Sequence, residues 1–535
     1  MSTLPTYNAA TDLLDRNIAE GRGDKLAFVD PVRQLTYSEL QAGTCRLAHS
    51  LRRMDIRREE RVALIMLDTV EFPIVFLGAI RAGAVPAPLN TLLTAEQYAY
   101  ILADSRARVL FVSQALLPTV EGILPGLKDL REVIVVGGPE GTRYRTLTGA
   151  LTGVSDTFDT VATHPDEPAF WLYSSGSTGM PKGVKHVHAS PMATATTYAR
   201  QVLGIREDDV CLSAAKLFFA YGLGNSLTFP MSVGATAVLN PGRPTPATIF
   251  ALMSRFEPTI FCGVPTLFAA MLADESLTEE RGSPRLRICI SAGEALPEHI
   301  GIAWKRRFGV DILDGVGSTE MLHIFLSNAP NDIKYGASGR PVPGYDVRLV
   351  NAEGAEVPDG EVGEMLVRGP SAAEGYWNQR EKSRATYEGT WTRTGDKYVR
   401  DTEGRYIYCG RSDDMFKVSG RWVSPFEVEN ALMGYPAVLE AAVIAAADAD
   451  ELIKPKAYIV LKSGIIWSEE INRSLKEHVK TKIGPWKYPR WIEVVDSLPK
   501  TATGKVQRFK LRELQSRSHA EDRNGEASVL WSVGP

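Results

Sequence analysis

The sequence predicts an α/β fold: a large N-terminal domain of parallel sheets flanked by helices, a small antiparallel β-region, and a smaller α+β domain at the C-terminus. Three observations lead there. Short β-rich runs alternate with helical patterns through the first three-quarters of the chain. Near Gly336 the texture changes to alternating residues broken by turn signals. A short α+β series then follows. At 535 residues the chain exceeds one ordinary core, so two or more domains are expected.

The expected strands, in order, are "RVALIML" (61–67), "ARVLFVS" (107–113), "EVIVVGG" (132–138), "TAVLN" (236–240), "TIFCGV" (259–264) and "RICISAG" (287–293). Between them lie helical patterns such as "TYSELQAGTCRLAHSLRRM" and "TLFAAMLADESL". Strands alternating with helices imply parallel sheets covered on both faces. Ligands gather at the carboxyl ends of such strands, and "AFWLYSSGS" has that arrangement, an apolar run leading into a glycine loop. After Gly336, "GYDVRLVNAEGAEVPDGEVGEMLVRGP" carries turn signals at "AEG" and "PDG" and reads as antiparallel. Beyond it come a helix near 425–433, strands "AAVIAA" and "KAYIVLK", a helix near 468–482 and "RWIEVV". The polar tail after about Gln515 is expected to be mobile.

Composition narrows the function classes. With 44% apolar and 23% charged residues the balance is that of a soluble globular protein. A formal net charge of −4 gives no global basic field for nucleic acid. No apolar window is long enough to span a membrane, and the N-terminus does not read as a signal peptide. Five cysteines, Cys45, Cys211, Cys262, Cys289 and Cys409, stand singly, which fits a reducing cytoplasm rather than a disulfide frame. The close pair His186 and His188 has no Cys or Glu at zinc spacing, so a metal held by protein ligands alone is not expected.

The segment "YSSGSTGMPKGVKH", Tyr173 to His186, is the chemical centre of the reading. Glycine lets several N–H groups converge on an anion, and Ser, Thr and Lys add donors and charge. Neither common nucleotide fingerprint fits. Lys182 is displaced from its Walker A position with no Ser or Thr after it, and "GVGSTE" (315–320) has Glu320 where the last Rossmann glycine should stand.

The string instead resembles the signature loop of the adenylate-forming superfamily, which includes acyl-CoA synthetases, firefly-type luciferases and peptide-synthetase adenylation domains. Its pattern [YF]-[TS]-S-G-[ST]-T-G-x-P-K-G is met from Tyr173 through Gly183. "GSTE" (317–320), "TGD" (394–396), "GRSDDMFKVSG" (410–420) and "PKTATGKVQR" (499–508) resemble the family's later motifs, in order, so the likeness runs from about residue 10 to 515.

The resemblance implies ATP, Mg²⁺ and coenzyme A as reactants and a two-step reaction. A carboxylate first attacks the α-phosphate of ATP, where cations and aligned donors matter more than proton transfer. Ser174, Ser175, Gly176, Ser177, Thr178, Gly179 and Lys182 would cover the β- and γ-phosphates. Gly317 and Ser318 would line the nucleotide, Thr319 would meet the α-phosphate, and Glu320 would hold Mg²⁺. On its own, Glu320 reads as an early helix glutamate favouring the dipole. Asp396 and Arg411 would hold the ribose, and Lys505 would neutralise charge between the reacting anions. Residues 1–412 would form the N-terminal domain and 414–535, with a small excess of basic residues, a mobile lid hinged at Asp413. Gly420 would lie beside the pantetheine arm during thioester formation.

The acid pocket is expected from "KLFFAYGLGN" (216–225), "SAGEALP" (291–297) and "DGVGSTEMLHIF" (314–325), giving Phe219, Ala220, Tyr221, Gly293, Gly315, His323 and Ile324. Small residues beside aromatics leave a flat slot for a planar ring. These strings resemble benzoate–CoA ligases, implying benzoate, ATP and CoA converted to benzoyl-CoA, AMP and diphosphate through benzoyl-adenylate. Tyr221 could close the ring's edge by packing, or its hydroxyl could meet a substituent. A 2-aminobenzoate or hydroxybenzoate ligase, and an enzyme loading a carrier protein, stand as alternatives. A non-catalytic nucleotide-binding relative is the different-class alternative, although Lys505, Glu320 and Asp396 are all present. The partners are small molecules. A homodimer is left open, and the family includes members switched by lysine acetylation, which would remove the charge of Lys505.

Overall fold

The β-rich runs of the N-terminal region assemble into two largely parallel sheets. In the computed structural model, which describes residues 6–141, 143–174, 180–277, 282–412, 414–418, 421–448, 452–500 and 506–515, all six expected strands form. Arg61–Ile65, Val109–Ser113 and Glu132–Val136 lie in a five-stranded sheet whose pairings are all parallel. Val210–Ser213, Thr236–Val238, Ile260–Gly263 and Ile288–Ser291 lie in a nine-stranded sheet that is parallel at its centre and antiparallel at both edges. The helix Tyr37–Arg53 starts at a capping box, Thr36 with Glu39, and buries Leu40, Leu47 and Leu51. The polar tail beyond 515 and the glycine-loop residues 175–179 lie outside the described residues.

One strand departs from the expected arrangement. Pro168–Ser174 belongs to neither parallel sheet. It pairs antiparallel with Lys182–Val187, Ser174 opposite Lys182, so the glycine segment joins two strands of a hairpin. The short strand Gly375–Tyr376 adds to the other side of Lys182–Val187, Tyr376 opposite Val184. An apolar run signals burial without naming its partner, so the sequence alone did not separate the two cases.

Beyond Gly336 the chain turns to short strands, Asp346–Val350 and Val362–Arg368, and then to an antiparallel hairpin of Trp391–Arg400 with Tyr406–Arg411. The chain forms two compact units, Met1–Arg348 with Leu366–Thr394, and Leu349–Met365 with Gly395–Pro535. The expected hinge, Asp413, lies outside the described residues.

In the second unit Val438–Ala447 pairs antiparallel with Ile453–Leu461, and Trp491–Val494 joins in parallel. The helices Pro425–Met433 and Glu469–Ile483 are capped by Ser424 and Ser468, whose hydroxyls accept bonds from the amides of Glu427 and Ile471. Val428, Leu432, Val443, Ala457, Ile459, Leu475 and Val479 make the core. All five cysteines are free, four of them buried. Among the described residues no helix is long and apolar enough to cross a membrane.

Candidate active site

The "GSTE" segment is a reverse turn. Residues 318–323 carry the chain from the strand Ile312–Gly317 back along the antiparallel strand Ile324–Ser327. The Met321 amide donates to Ser318 Oγ at 3.2 Å and the Leu322 amide to Thr319 O at 3.1 Å. Two outside groups fix the turn: Ser371 Oγ donates to Met321 O at 2.7 Å and the Ala373 amide donates to Glu320 O at 2.8 Å. At Gly317 a Cβ would stand 2.4 Å from His323 O, so the reversal admits only glycine there. Glu320 therefore starts no helix, and a dipole role is replaced by a different environment.

That environment is a lysine and a phenol. Lys182 Nζ lies 3.2 Å from Glu320 Oε1. The Tyr376 hydroxyl accepts a bond from Lys182 Nζ at 2.6 Å and donates to Glu320 Oε1 at 2.8 Å. The lysine also sits 3.9 Å from the centre of the Tyr376 ring. Glu320 and Lys182 expose only 15% and 18% of their side chains, so water does little of the neutralising. Burial pushes the Glu320 carboxyl up, but the Lys182 ammonium and the Tyr376 hydroxyl outweigh it and hold the group below its ordinary value. An ionised, part-buried carboxylate suits a hard cation. Among the described residues no cluster of three or more His, Cys, Asp or Glu side chains could hold a metal, so Glu320 would offer a cation a single carboxylate. Ser174 is placed opposite Lys182, while the Tyr173 hydroxyl is engaged by Asp104 Oδ2 at 2.7 Å.

The same turn carries His323 into a wall of aromatic rings. Its ring centre lies 4.4 Å from Phe229, 5.4 Å from Tyr198 and 5.6 Å from Tyr221. Gly224 admits the imidazole, since a Cβ there would meet His323 Cδ2 at 2.4 Å. His323 Nε2 is 3.3 Å from Tyr221 O, which assigns its proton to Nε2, and the buried Nδ1 has no hydrogen-bond partner. Burial pushes the imidazole down to about 3, so it is neutral.

The Tyr221 hydroxyl reaches two backbone carbonyls, Gly263 O and Ile290 O, each at 3.1 Å. Its proton is thus engaged with the sheet, which favours the packing role of the two that the sequence left open. Ala220, Gly315 and Ile324 are buried, whereas Gly293 is exposed with φ at +94°. The Phe219 ring packs on Phe218, 4.3 Å between centres.

In the second unit Asp396 and Arg411 face each other across the hairpin, Arg411 Nη1 donating to Asp396 Oδ1 at 2.9 Å. Ser175, Gly176, Ser177, Thr178, Gly179, Asp413, Gly420 and Lys505 lie outside the described residues. Sequence reasoning missed Tyr376, Tyr198 and Phe229. Tyr376 stands 194 positions from Lys182, and only strand pairing brings them together.

Residues 15–377 match the model of AMP-binding enzymes, and residues 427–505 match that of the AMP-binding enzyme C-terminal domain. The chain is 56% identical over 512 residues to a 4-hydroxybenzoate–CoA/benzoate–CoA ligase of Rhodopseudomonas palustris, covering 96% of this chain and 95% of that protein. It superposes on the crystal structure of a benzoate CoA ligase from Burkholderia xenovorans LB400 with a TM-score of 0.88 and 49% identity, covering 95% of this chain and 100% of that one. An anthranilate CoA ligase, AuaEII, in complex with anthranoyl-AMP gives a TM-score of 0.93 and 44% identity, covering 97% and 99%. Matched over both of its parts and more than half identical to a named relative, the chain belongs to the AMP-binding enzyme family.

Proposed function

We propose that this chain is an ATP-dependent aryl acid–CoA ligase whose acid is benzoate, converting benzoate, ATP and CoA to benzoyl-CoA, AMP and diphosphate. One observation carries the reading: a single reverse turn presents the ionised Glu320 beside Lys182 and, three residues on, places a neutral His323 among aromatic rings. Relatives more than half identical that are named for benzoate support it.

The carboxylate of the acid attacks the α-phosphorus of ATP and diphosphate leaves, giving the acyl-adenylate. Two anions must approach, so the residues contribute charge and alignment rather than a general base. Lys182, Ser174 and the glycine-loop residues Ser175 to Gly179 bind the outer phosphates, Thr319 meets the α-phosphate, and Gly317 and Ser318 line the nucleotide. Asp396 and Arg411 hold the ribose. Glu320 would hold Mg²⁺, which would supply positive charge to offset that of the phosphates. Lys505 neutralises the reacting centre. In the second step the thiol of CoA attacks the acyl carbon and AMP departs, with residues 414–535 turning about Asp413 and Gly420 making room for the pantetheine arm. Tyr221, Phe219, Ala220, Gly293, Gly315, His323 and Ile324 enclose the ring. The cytoplasm, with its ATP, CoA and reduced thiols, suits the chemistry.

A second acid is favoured by one feature. His323 Nδ1 is a buried acceptor without a partner, and a ring carrying a donor, hydroxyl or amine, would satisfy it. ATP–pyrophosphate exchange, followed by thioester formation with free CoA, across benzoate, hydroxybenzoates, 2-aminobenzoate and hexanoate tests both readings. Benzoate is expected to give the highest kcat/KM. Exchange with none of the aryl acids would end the proposal.

A further inference from the structure

Tyr376 stands where the chemistry of the site changes hands, and nothing in the motifs marked it. Its backbone is fixed in the strand that pairs Val184, its amide donates to Ser383 Oγ at 3.0 Å, and its ring packs on Tyr387 at 5.5 Å. Thr386 Oγ1 lies 3.3 Å from its hydroxyl. A phenol both donates and accepts, and here each capacity is committed to a different charged group: it accepts from Lys182 and donates to Glu320.

We propose that Tyr376 is a positioning residue that couples nucleotide binding to cation binding. The Lys182 ammonium lies 3.2 Å from Glu320 Oε1, at the carboxylate that would hold a divalent cation. The Tyr376 hydroxyl bridges the two, so the lysine can leave for a phosphate while the carboxylate keeps its orientation. The inference rests on Glu320 as the metal ligand and Lys182 as a phosphate contact.

The reasoning is electrostatic. A part-buried carboxylate needs a counter-charge, and Lys182 is the one at hand. An ammonium 3.2 Å from Oε1 repels a dication at the same carboxylate, so the two compete. A polyphosphate offers the lysine a second partner of equal sign, and drawing it away opens Glu320 to the metal. Metal and nucleotide then strengthen each other reciprocally. The Tyr376 hydroxyl serves both states because its bond to Glu320 does not depend on where the lysine is. Tyr376→Phe keeps the ring under Lys182, 3.9 Å away, and removes only the bridge.

The test is calorimetric binding of a non-hydrolysable ATP analogue with Mg²⁺ and with EDTA, the ratio of the two Kd values measuring the coupling. Tyr376→Phe is expected to lower that ratio by about 5-fold or more, with benzoate binding and the melting temperature unchanged. Glu320→Gln separates the two layers of the claim. If that variant keeps the wild-type ratio, Glu320 is not the metal ligand. If it collapses the ratio while Tyr376→Phe retains it, Tyr376 has no coupling role. Should Tyr376→Phe fail to fold, Mn²⁺ alone, followed by electron paramagnetic resonance, tests the same competition. Lys182→Met without nucleotide is expected to bind Mn²⁺ at least about 5-fold tighter than wild type, and equal affinity overturns the proposal.

Discussion

The two units each contain a buried ion pair between residues far apart in sequence, and the pairs are built differently. In the first, Glu320 receives one ammonium at 3.2 Å and one phenol at 2.8 Å, both on the same oxygen. In the second, Arg508 grips Glu429 with bonds of 2.7 and 2.8 Å from Nη2 and 3.2 Å from Nε, and the Val443 amide adds a fourth at 2.8 Å. Arg508 also faces Asp414 at 3.5 Å, and Arg512 donates to Asp414 Oδ1 from both terminal nitrogens at 3.0 Å. The Glu429 carboxylate is filled by a planar fork and a fixed amide, which is what a brace requires. The Glu320 carboxylate is held by a point charge that can swing away, which is what an exchangeable site requires. Degree of filling, more than burial, separates the two pairs.

Three substitutions press on that contrast. The largest effect is expected at the filled pair. Arg508→Ala leaves Glu429, 5% exposed, with a buried charge and should cost about 3–5 kcal/mol of stability, read by denaturant unfolding. A loss below about 1 kcal/mol, the range of exposed pairs, would show that the second unit does not depend on this brace.

The middle case is Asp396→Ala. Its partner Arg411 is 43% exposed and the pair lies within one hairpin, so stability should move by less than about 1 kcal/mol. The expected loss is in ATP recognition, roughly 10-fold in KM for ATP, on the scale of one lost charged hydrogen bond. An unchanged KM would remove Asp396 from the ribose site.

The smallest effect is expected at Tyr221→Phe. Because the hydroxyl serves Gly263 O and Ile290 O, its loss should lower kcat/KM for benzoate and 4-hydroxybenzoate by a similar factor, about 3- to 10-fold. A loss confined to the hydroxylated acid would return the hydroxyl to the substrate.

Much of this architecture was legible in the residues. "RVALIML" and "RICISAG" are strands because β-branched runs bounded by polar residues have few other uses, and the helix at 425–433 appears with the bounds expected of it. What failed to be legible was partnership. "PAFWLYS" looks as buried as any parallel strand, yet it forms an antiparallel hairpin with Lys182–Val187. Glu320 looked like a helix start because "STEM" is compatible with one. The turn it occupies is set by Ser371 and Ala373, about fifty residues away.

By itself the sequence determined the order of strands and helices, the glycine positions a close reversal needs, and the presence of the charges that the chemistry uses. Those are local matters, governed by backbone sterics and by which side chains tolerate burial. Tertiary structure alone decided that Tyr376 stands between Lys182 and Glu320, that the Tyr221 hydroxyl faces the sheet, and that His323 is neutral. Hydrogen bonding and desolvation act over a few ångströms of space. Only the folded chain sets which residues share those ångströms.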